Sequence, residues 1–414
     1  MLEKLEQEAV SVLMKLALAQ TAFPEINWFL KCVYRRFSKK HLLRAAPSLI
    51  VLGEDVPREL VLALDPAAFF ILGGSLETCR WSDALLPRDA EPVSRSACGW
   101  LLNPYMNLTE DALVVTTLCS DNRRKLVSLL RERGVKVAAA DLPPVSNTQD
   151  AEEIWLESMS RLIEAMEKHT DRRLSYSRLA RAIKESQRVR KSLLAFRRAL
   201  LAKPGCLPAA LARIIEESVW YAEDREEWTR RLDLLTAKIQ ALVPGGYLSL
   251  GTSPWVLLTG SPVVFPNEKL PLLLEESGLY VADWVDAVSI QPQIAPGTPP
   301  HFGTVSGLLR QLMSSRLPRN ISGAFAVNTG YIDTVRRHLE TVPVDGIVYH
   351  VLKGHIEADF ELPRIEKLAE EYGLPLIRVE TDYQQQDVEQ LRIRMEAFSE
   401  MLRQQRQEEV GIAQ

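Results

Sequence analysis

The chain has 414 residues, of which 46% are apolar, and 50 basic against 54 acidic side chains leave a net charge of −4. That length suits two or three domains, and that apolar content builds folded cores, which excludes a disordered chain. Basic residues are not segregated into one block. The Arg/Lys-rich stretches 31–44 and 172–198 also carry apolar stripes and read as solvated helix faces, so nucleic-acid binding is disfavoured.

Residues 1–44 read as helical. Glu3, Glu6 and Glu8 precede the apolar run 10–19, the reverse of a signal peptide. That run contains Lys15 and is too short to span a bilayer, so it reads as one stripe of an amphipathic helix. Residues 45–146 carry an α/β pattern. The apolar runs 48–52 and 69–72 end in Gly53 and in Gly73-Gly74, with a helix between them that has Pro57 in its first turn. A β-branched run, 112–117, leads into Leu118-Cys119-Ser120-Asp121. Asp121 opens a helix through Arg133 that Gly134 closes, and strand 135–142 ends at Pro143-Pro144.

Residues 147–245 show no strand signal and read as a helical connector or cap. Ser177 is the expected N-cap of its second helix, with Leu179, Ala182, Ile183, Leu193 and Leu194 facing inward. From 246 to 414 the α/β pattern returns. A strand at 256–259 ends in Gly260-Ser261-Pro262, and a helix (269–277) and a strand (280–282) follow. Next come a Pro/Gly/Gln-rich loop (285–303), a helix (332–339), a strand (346–352), a helix (360–372) and a strand (376–380). The last helix places Val388, Leu391, Met395, Phe398 and Leu402 on one face, with Asp387 as its N-cap. The expected fold is α/β: two Rossmann- or flavodoxin-like parallel-sheet domains joined by a helical segment. Their strand ends leave a cleft that is the default binding site.

No P-loop, strand-following GxGxxG, GxSxG or HExxH is present. Gly73-Gly74-Ser75 and Gly260-Ser261-Pro262 each read as a tight turn before they read as an anion cradle. The cysteines (Cys32, Cys79, Cys98, Cys119, Cys206) are odd in number, widely spaced and without a CxxC, which argues against a disulfide framework or a conventional zinc site. A reducing, cytoplasmic setting is the default. Cys119 lies just before a helix start, where the helix N-terminus favours thiolate and hence metal ligation or reactivity. The competing reading is a satisfied core cysteine. His355 occupies the corresponding place after strand 346–352. Glu91 lies in the loop Leu86-Pro87-Arg88-Asp89-Ala90-Glu91-Pro92, ahead of Ser94 and Ser96. Lys353 reads as a surface lysine or as a holder of an anion such as a CoA phosphate.

Several segments together resemble the 2-hydroxyacyl-CoA dehydratase and benzoyl-CoA reductase subunits, over about residues 50–405. In the first half the likeness rests on Val56-Pro57-Arg58-Glu59-Leu60, on Ala84 through Pro92 and on Val115 through Asp121. In the second half it rests on Leu257 through Pro262, Val344 through Gly354, Glu380-Thr381-Asp382-Tyr383 and Gln390 through Phe398. The resemblance implies an acyl-CoA cleft, for which Ser94, Ser96 and Lys353 are the candidate lining residues. It also implies a [4Fe–4S] cluster on three cysteines, a paralogous partner subunit and an ATP-dependent activator that delivers an electron. This chain departs at the ligands. Glu91 stands at the first cysteine position, Cys119 is retained within one residue of register, and His355 stands at or beside the third.

Three readings of that departure stay open. The cluster is carried by the partner subunit alone; or a mixed Glu91/Cys119/His355 set binds it, with Cys98 or Cys79 swung in; or the site serves another metal or none. The first is favoured, because replacing two thiolates by harder or neutral ligands weakens a cubane. The expectation is a subunit of a dehydratase- or reductase-like complex, a heterodimer with a cluster-bearing paralogue. The alternatives are a non-catalytic scaffold or regulatory paralogue, and a metal-dependent hydrolase or binding protein using Cys119, His355 and Glu91.

Overall fold

In the computed structural model the strands are β1 (Leu49–Leu52), β2 (Phe69–Ile71), β3 (Leu113–Thr117), β4 (Val137–Ala140), β5 (Trp255–Gly260), β6 (Tyr280–Val285), β7 (Gly346–Leu352) and β8 (Leu376–Thr381). The structure describes residues 2–18, 23–103, 109–146, 148–243, 253–294, 297–299, 303–319, 321–323 and 325–412. Parts of the expected loop 285–303, and the expected junctions at 146–147 and 245–246, lie outside them. The strands form two four-stranded sheets, ordered β2-β1-β3-β4 and β6-β5-β7-β8. Every pairing is parallel. β1, β3 and β7 are buried along their whole length, as Val/Ile/Leu-rich strands covered on both faces must be.

The two sheets repeat one strand permutation, although no residue-level repeat is visible in the chain. In each, the order reverses beside the first strand, between β1 and β3 and between β5 and β7. Such reversals are where ligands of open α/β sheets bind, beyond the carboxyl ends of the strands.

The connector holds the helices Gln149–Thr170, Tyr176–Ala202, Ala209–Glu217 and Arg225–Gln240. Ser175, not Ser177, caps the second: its hydroxyl accepts from the Arg178 N–H. Both serines suit the role, and the Arg172-Arg173-Leu174 turn decides which one meets the first free amides. The helix Ile356–Glu371 starts four residues before the expected 360 and holds Pro363 in its interior. Within the expected loop lies a short helix, Ala287–Ile290, closed by a capping box between Asp286 and Ser289.

The halves share one apolar core, running from Leu5 through Val51, Phe196 and Phe265 to Phe398. Two contacts clamp them. Gly74 has φ +92°, and a Cβ there would lie 2.3 Å from the Phe265 carbonyl oxygen, so only glycine admits this approach. Both Glu59 carboxylate oxygens accept from Arg316 Nη2 at 2.8 Å, with both side chains buried, and Gln291 Oε1 accepts from Nη1 at 2.9 Å. Gly73-Gly74-Ser75 makes a turn into the helix Leu76–Trp81, whose first amides are met by a side chain of the protein itself. The Glu8 carboxylate accepts from the Ser75 hydroxyl (2.6 Å) and from the Leu76 (2.8 Å) and Glu77 (3.3 Å) N–H groups. Among the described residues no helix is long and apolar enough to cross a membrane.

Candidate functional site

Both switch points open onto one cavity of about 90 Å³. Its walls include Glu54 and Asp55 after β1, Cys119 and Ser120 after β3, Gly260 at the end of β5 with Pro262 beyond it, and His355 and Glu357 after β7. Glu91 joins them from the turn before the helix Pro92–Leu101. Glu91, Cys119 and His355, far apart in the chain, therefore line the same cleft. The contact that assembles it is at Gly354. With φ +82°, its Cβ position lies 2.8 Å from the Asp89 carbonyl and 3.0 Å from the Glu91 amide. Asn122, in the first turn of the helix Asp121–Glu132, donates to the Gly354 carbonyl at 3.3 Å. The loops bearing Glu91, Cys119 and His355 are thereby pinned together.

The polar groups of the cleft are held internally. Ser94 donates to Glu91 at 2.8 Å. The Ser261 hydroxyl sits 2.7 Å from His355 Nδ1 and accepts from the Leu352 N–H at 2.9 Å. Its own proton is then free for Nδ1, which favours the Nε2–H tautomer. Nε2 lies 4.0 Å from the Glu357 carboxylate. Arg123 is buried beneath β1 and donates to the Leu52 carbonyl (2.7 Å) and the Thr116 hydroxyl (2.9 Å). Gly53, at φ +86°, leaves the room: a Cβ there would lie 2.6 Å from the guanidinium.

The cleft is acidic. Glu54, Asp55, Glu91, Glu357 and Glu361 line it, against Arg123 and His355. Burial opposes the Arg123 charge, but Cys119 and the three nearest carboxyl groups outweigh it and hold its pKa above the ordinary value. Burial, with Asp55 beside it, pushes Glu54 up to about 8 in spite of Arg123. Glu54 is thus a carboxylic acid at neutral pH, able to give a proton.

Cys119 does not behave as its position at a helix start suggests. Burial raises its thiol well above the ordinary value; Arg123 opposes this, and Asp55, Glu54 and Glu91 add to it. Ser120 is the N-cap and takes the Arg123 N–H. Desolvation and three nearby carboxyl groups therefore outweigh the helix dipole.

The donor set does not fit a [4Fe–4S] cluster. A cubane needs several soft thiolate ligands, and the cleft lining holds one cysteine, Cys119. Glu91 is engaged by Ser94, and His355 Nδ1 by Ser261. Cys79 and Cys98 are buried outside the cleft, pushed up by burial to about 12 and about 11. Among the described residues no three His, Cys, Asp or Glu groups are grouped to hold a metal ion.

Of the expected cleft residues, Ser94 supports Glu91 from behind. Ser96 is fully buried and bonds the Thr78 hydroxyl (2.6 Å) and the Ser75 N–H (3.2 Å), away from the cavity. Lys353 is exposed and borders a separate shallow groove with Cys79, Arg88 and Asp382. Sequence reasoning passed over Glu54, Asp55 and Arg123. Their signal was available: Gly53-Glu54-Asp55 directly follows the first strand, the position at which a switch point opens.

Residues 55–402 match the family model described as 2-hydroxyglutaryl-CoA dehydratase, D-component. The chain is 25% identical over 351 residues to the Escherichia coli (strain K12) protein named "Putative dehydratase subunit YjiM", covering 84% of this chain and 89% of that one. It is 24% identical over 260 residues to the (R)-phenyllactyl-CoA dehydratase beta subunit of Clostridium sporogenes, covering 63% of this chain and 66% of that one. With the family model matching most of the chain, from residue 55 in the first α/β half to residue 402 in the second, the chain belongs to the 2-hydroxyglutaryl-CoA dehydratase D-component family.

Proposed function

We propose that this chain is the cluster-less subunit of a 2-hydroxyacyl-CoA dehydratase-type complex. Its cleft takes the acyl-thioester end of the substrate beside a paralogous, iron–sulfur-bearing partner, which an ATP-dependent activator serves. The observation that carries the reading is the mismatch at the family's own site. The loops converge as a ligand site requires, yet they present a single thiol, a serine-bound carboxylate and a serine-bound imidazole. In dehydration the bond from C2 to oxygen breaks, and the departing oxygen needs a proton. Glu54, protonated at neutral pH and on the cleft wall, is the residue suited to supply it. The name of the Clostridium relative, a beta subunit, supports assembly with a partner.

The internal satisfaction of Glu91 and His355 favours one other reading, a scaffold paralogue without catalytic residues. Iron and acid-labile sulfide content with EPR decides, on anaerobically purified chain alone and co-expressed with its genomic neighbour. Iron found only in the complex, and surviving Cys119→Ala, is the expected result. About four irons per chain alone, lost on Cys119→Ala, overturns the proposal in favour of a mixed-ligand cluster. No iron in either preparation leaves the scaffold.

A further inference from the structure

A second cavity, of about 550 Å³, lies along the edge strand β6. It lies between the helix Tyr176–Ala202 and the helix Thr329–Thr341. Four exposed arginines line it: Arg190 and Arg198 from the first helix, Arg319 from the turn Leu317–Arg319, and Arg337 from the second helix. Among the described residues none of the four is ion-paired. Arg190 donates to the Gln293 carbonyl (2.7 Å), Arg319 to the Ser315 carbonyl (3.2 Å), and Arg337 to the Asp333 carbonyl (3.2 Å) and the Thr334 hydroxyl (2.9 Å).

The arginine deeper in the same wall behaves differently. Arg197 is buried and spent on Glu216 and Asp283, and Asp283 also meets His338 Nδ1. The lining carboxylate not spent in this network, Glu340, receives the Tyr372 hydroxyl. The cavity thus has a neutralised floor and a cationic rim. Apolar side chains complete the floor, among them Leu194, Leu201, Ile294 and Val342. Exposed guanidinium groups left without carboxylates around an organic-ligand-sized hollow are suited to phosphate oxygens, and the apolar floor to a flat or aliphatic body. The acidic cleft repels such a ligand, although it shares two walls with this cavity: Ala287 and Tyr331 line the cleft, while Ile290 and Thr334, one turn on, line the cavity.

We propose that the arginine-rimmed cavity binds an organic phosphate of nucleotide size, with its phosphates on Arg190, Arg198, Arg319 and Arg337 and its body on the apolar floor. Two sources share that chemistry, a free nucleotide and the nucleotide end of a CoA thioester. The proposal does not rest on the dehydratase-type reading.

The test is calorimetric titration of the full chain with CoA, ATP and inorganic pyrophosphate at 50 and 300 mM salt. Expected are one-site binding of CoA or ATP and weaker binding at high salt. Arg198→Ala or Arg337→Ala should each cost about tenfold in affinity, the worth of a charge-assisted bond. Arg181→Ala, an exposed position on the same helix outside the cavity, should cost nothing. Tighter binding of CoA than ATP assigns the CoA source, and the reverse a free nucleotide. The proposal is overturned if neither nucleotide binds, if pyrophosphate binds as tightly as both, or if Arg181→Ala weakens binding as much as Arg198→Ala. All three substitutions are at exposed positions, and matched circular dichroism spectra verify the fold.

Discussion

Replacing Glu54 with glutamine tests the electrostatics of the cleft directly. In the folded chain burial and Asp55 hold this carboxyl at about 8, against an ordinary value of 4.5. Between those values the unfolded chain has released the proton and the folded chain has kept it. Stability then falls as pH rises, beginning above 4.5 and levelling off above about 8. At about 1.4 kcal/mol per pH unit the full window amounts to ~5 kcal/mol, and about half of that once solvent at the cleft mouth screens the charge. Glutamine keeps the shape without the charge. The stability difference, variant minus wild type, should therefore be near zero at pH 4.5 and grow to ~2–3 kcal/mol by pH 8. Urea unfolding at matched pH values reads it, and subtraction removes the contribution of other acids that burial raises, among them Glu217, Glu268 and Glu275. In an Asp55→Asn background the like charge is gone, so the window should shrink from its upper end. A difference that stays flat from pH 5 to 8, or that falls, would refute the reasoning, because Glu54 would then ionise in the folded chain as it does in water.

Glu59→Ala strands the buried Arg316 guanidinium, and urea unfolding should show a loss of about 3–5 kcal/mol. Replacing both partners, Glu59→Leu with Arg316→Met, should recover most of it, and a double variant no better than Glu59→Ala would count against the clamp. Iodoacetamide labelling followed by mass spectrometry should find Cys119 slow to alkylate at pH 7, since its thiol stays protonated; labelling faster than for a free thiol would contradict the cleft electrostatics.

The Cys119 reversal and the Ser175 cap show where local reading ends. Helix-start position predicts a stabilised thiolate, and it is right about the helix. Burial reverses the effect, and the three carboxyl groups that add to it come from the loop after β1, distant in the chain, and from the Glu91 turn. Likewise Ser177 and Ser175 are equal candidates by composition, and the turn ahead of them picks one. Ser96, proposed for the cleft from its place in the motif, faces the helix Leu76–Trp81, because two residues' advance along a helix from Ser94 rotates a side chain about 200°.

Apolar runs and helix punctuation determined the strands to within a few residues, most sharply β1, β3 and β7, which are buried throughout and predominantly apolar, as parallel strands covered on both faces must be. The spacing of Glu91, Cys119 and His355 after their strands and loop made them visible as candidates. Whether they meet was decided only in three dimensions, by Gly354 packing on the Asp89–Glu91 turn. The acidity of the cleft and the arginines beside β6, without carboxylate partners among the described residues, were decided there too. Charges distant in the chain act on one another through space, and only the folded arrangement fixes which of them are neighbours.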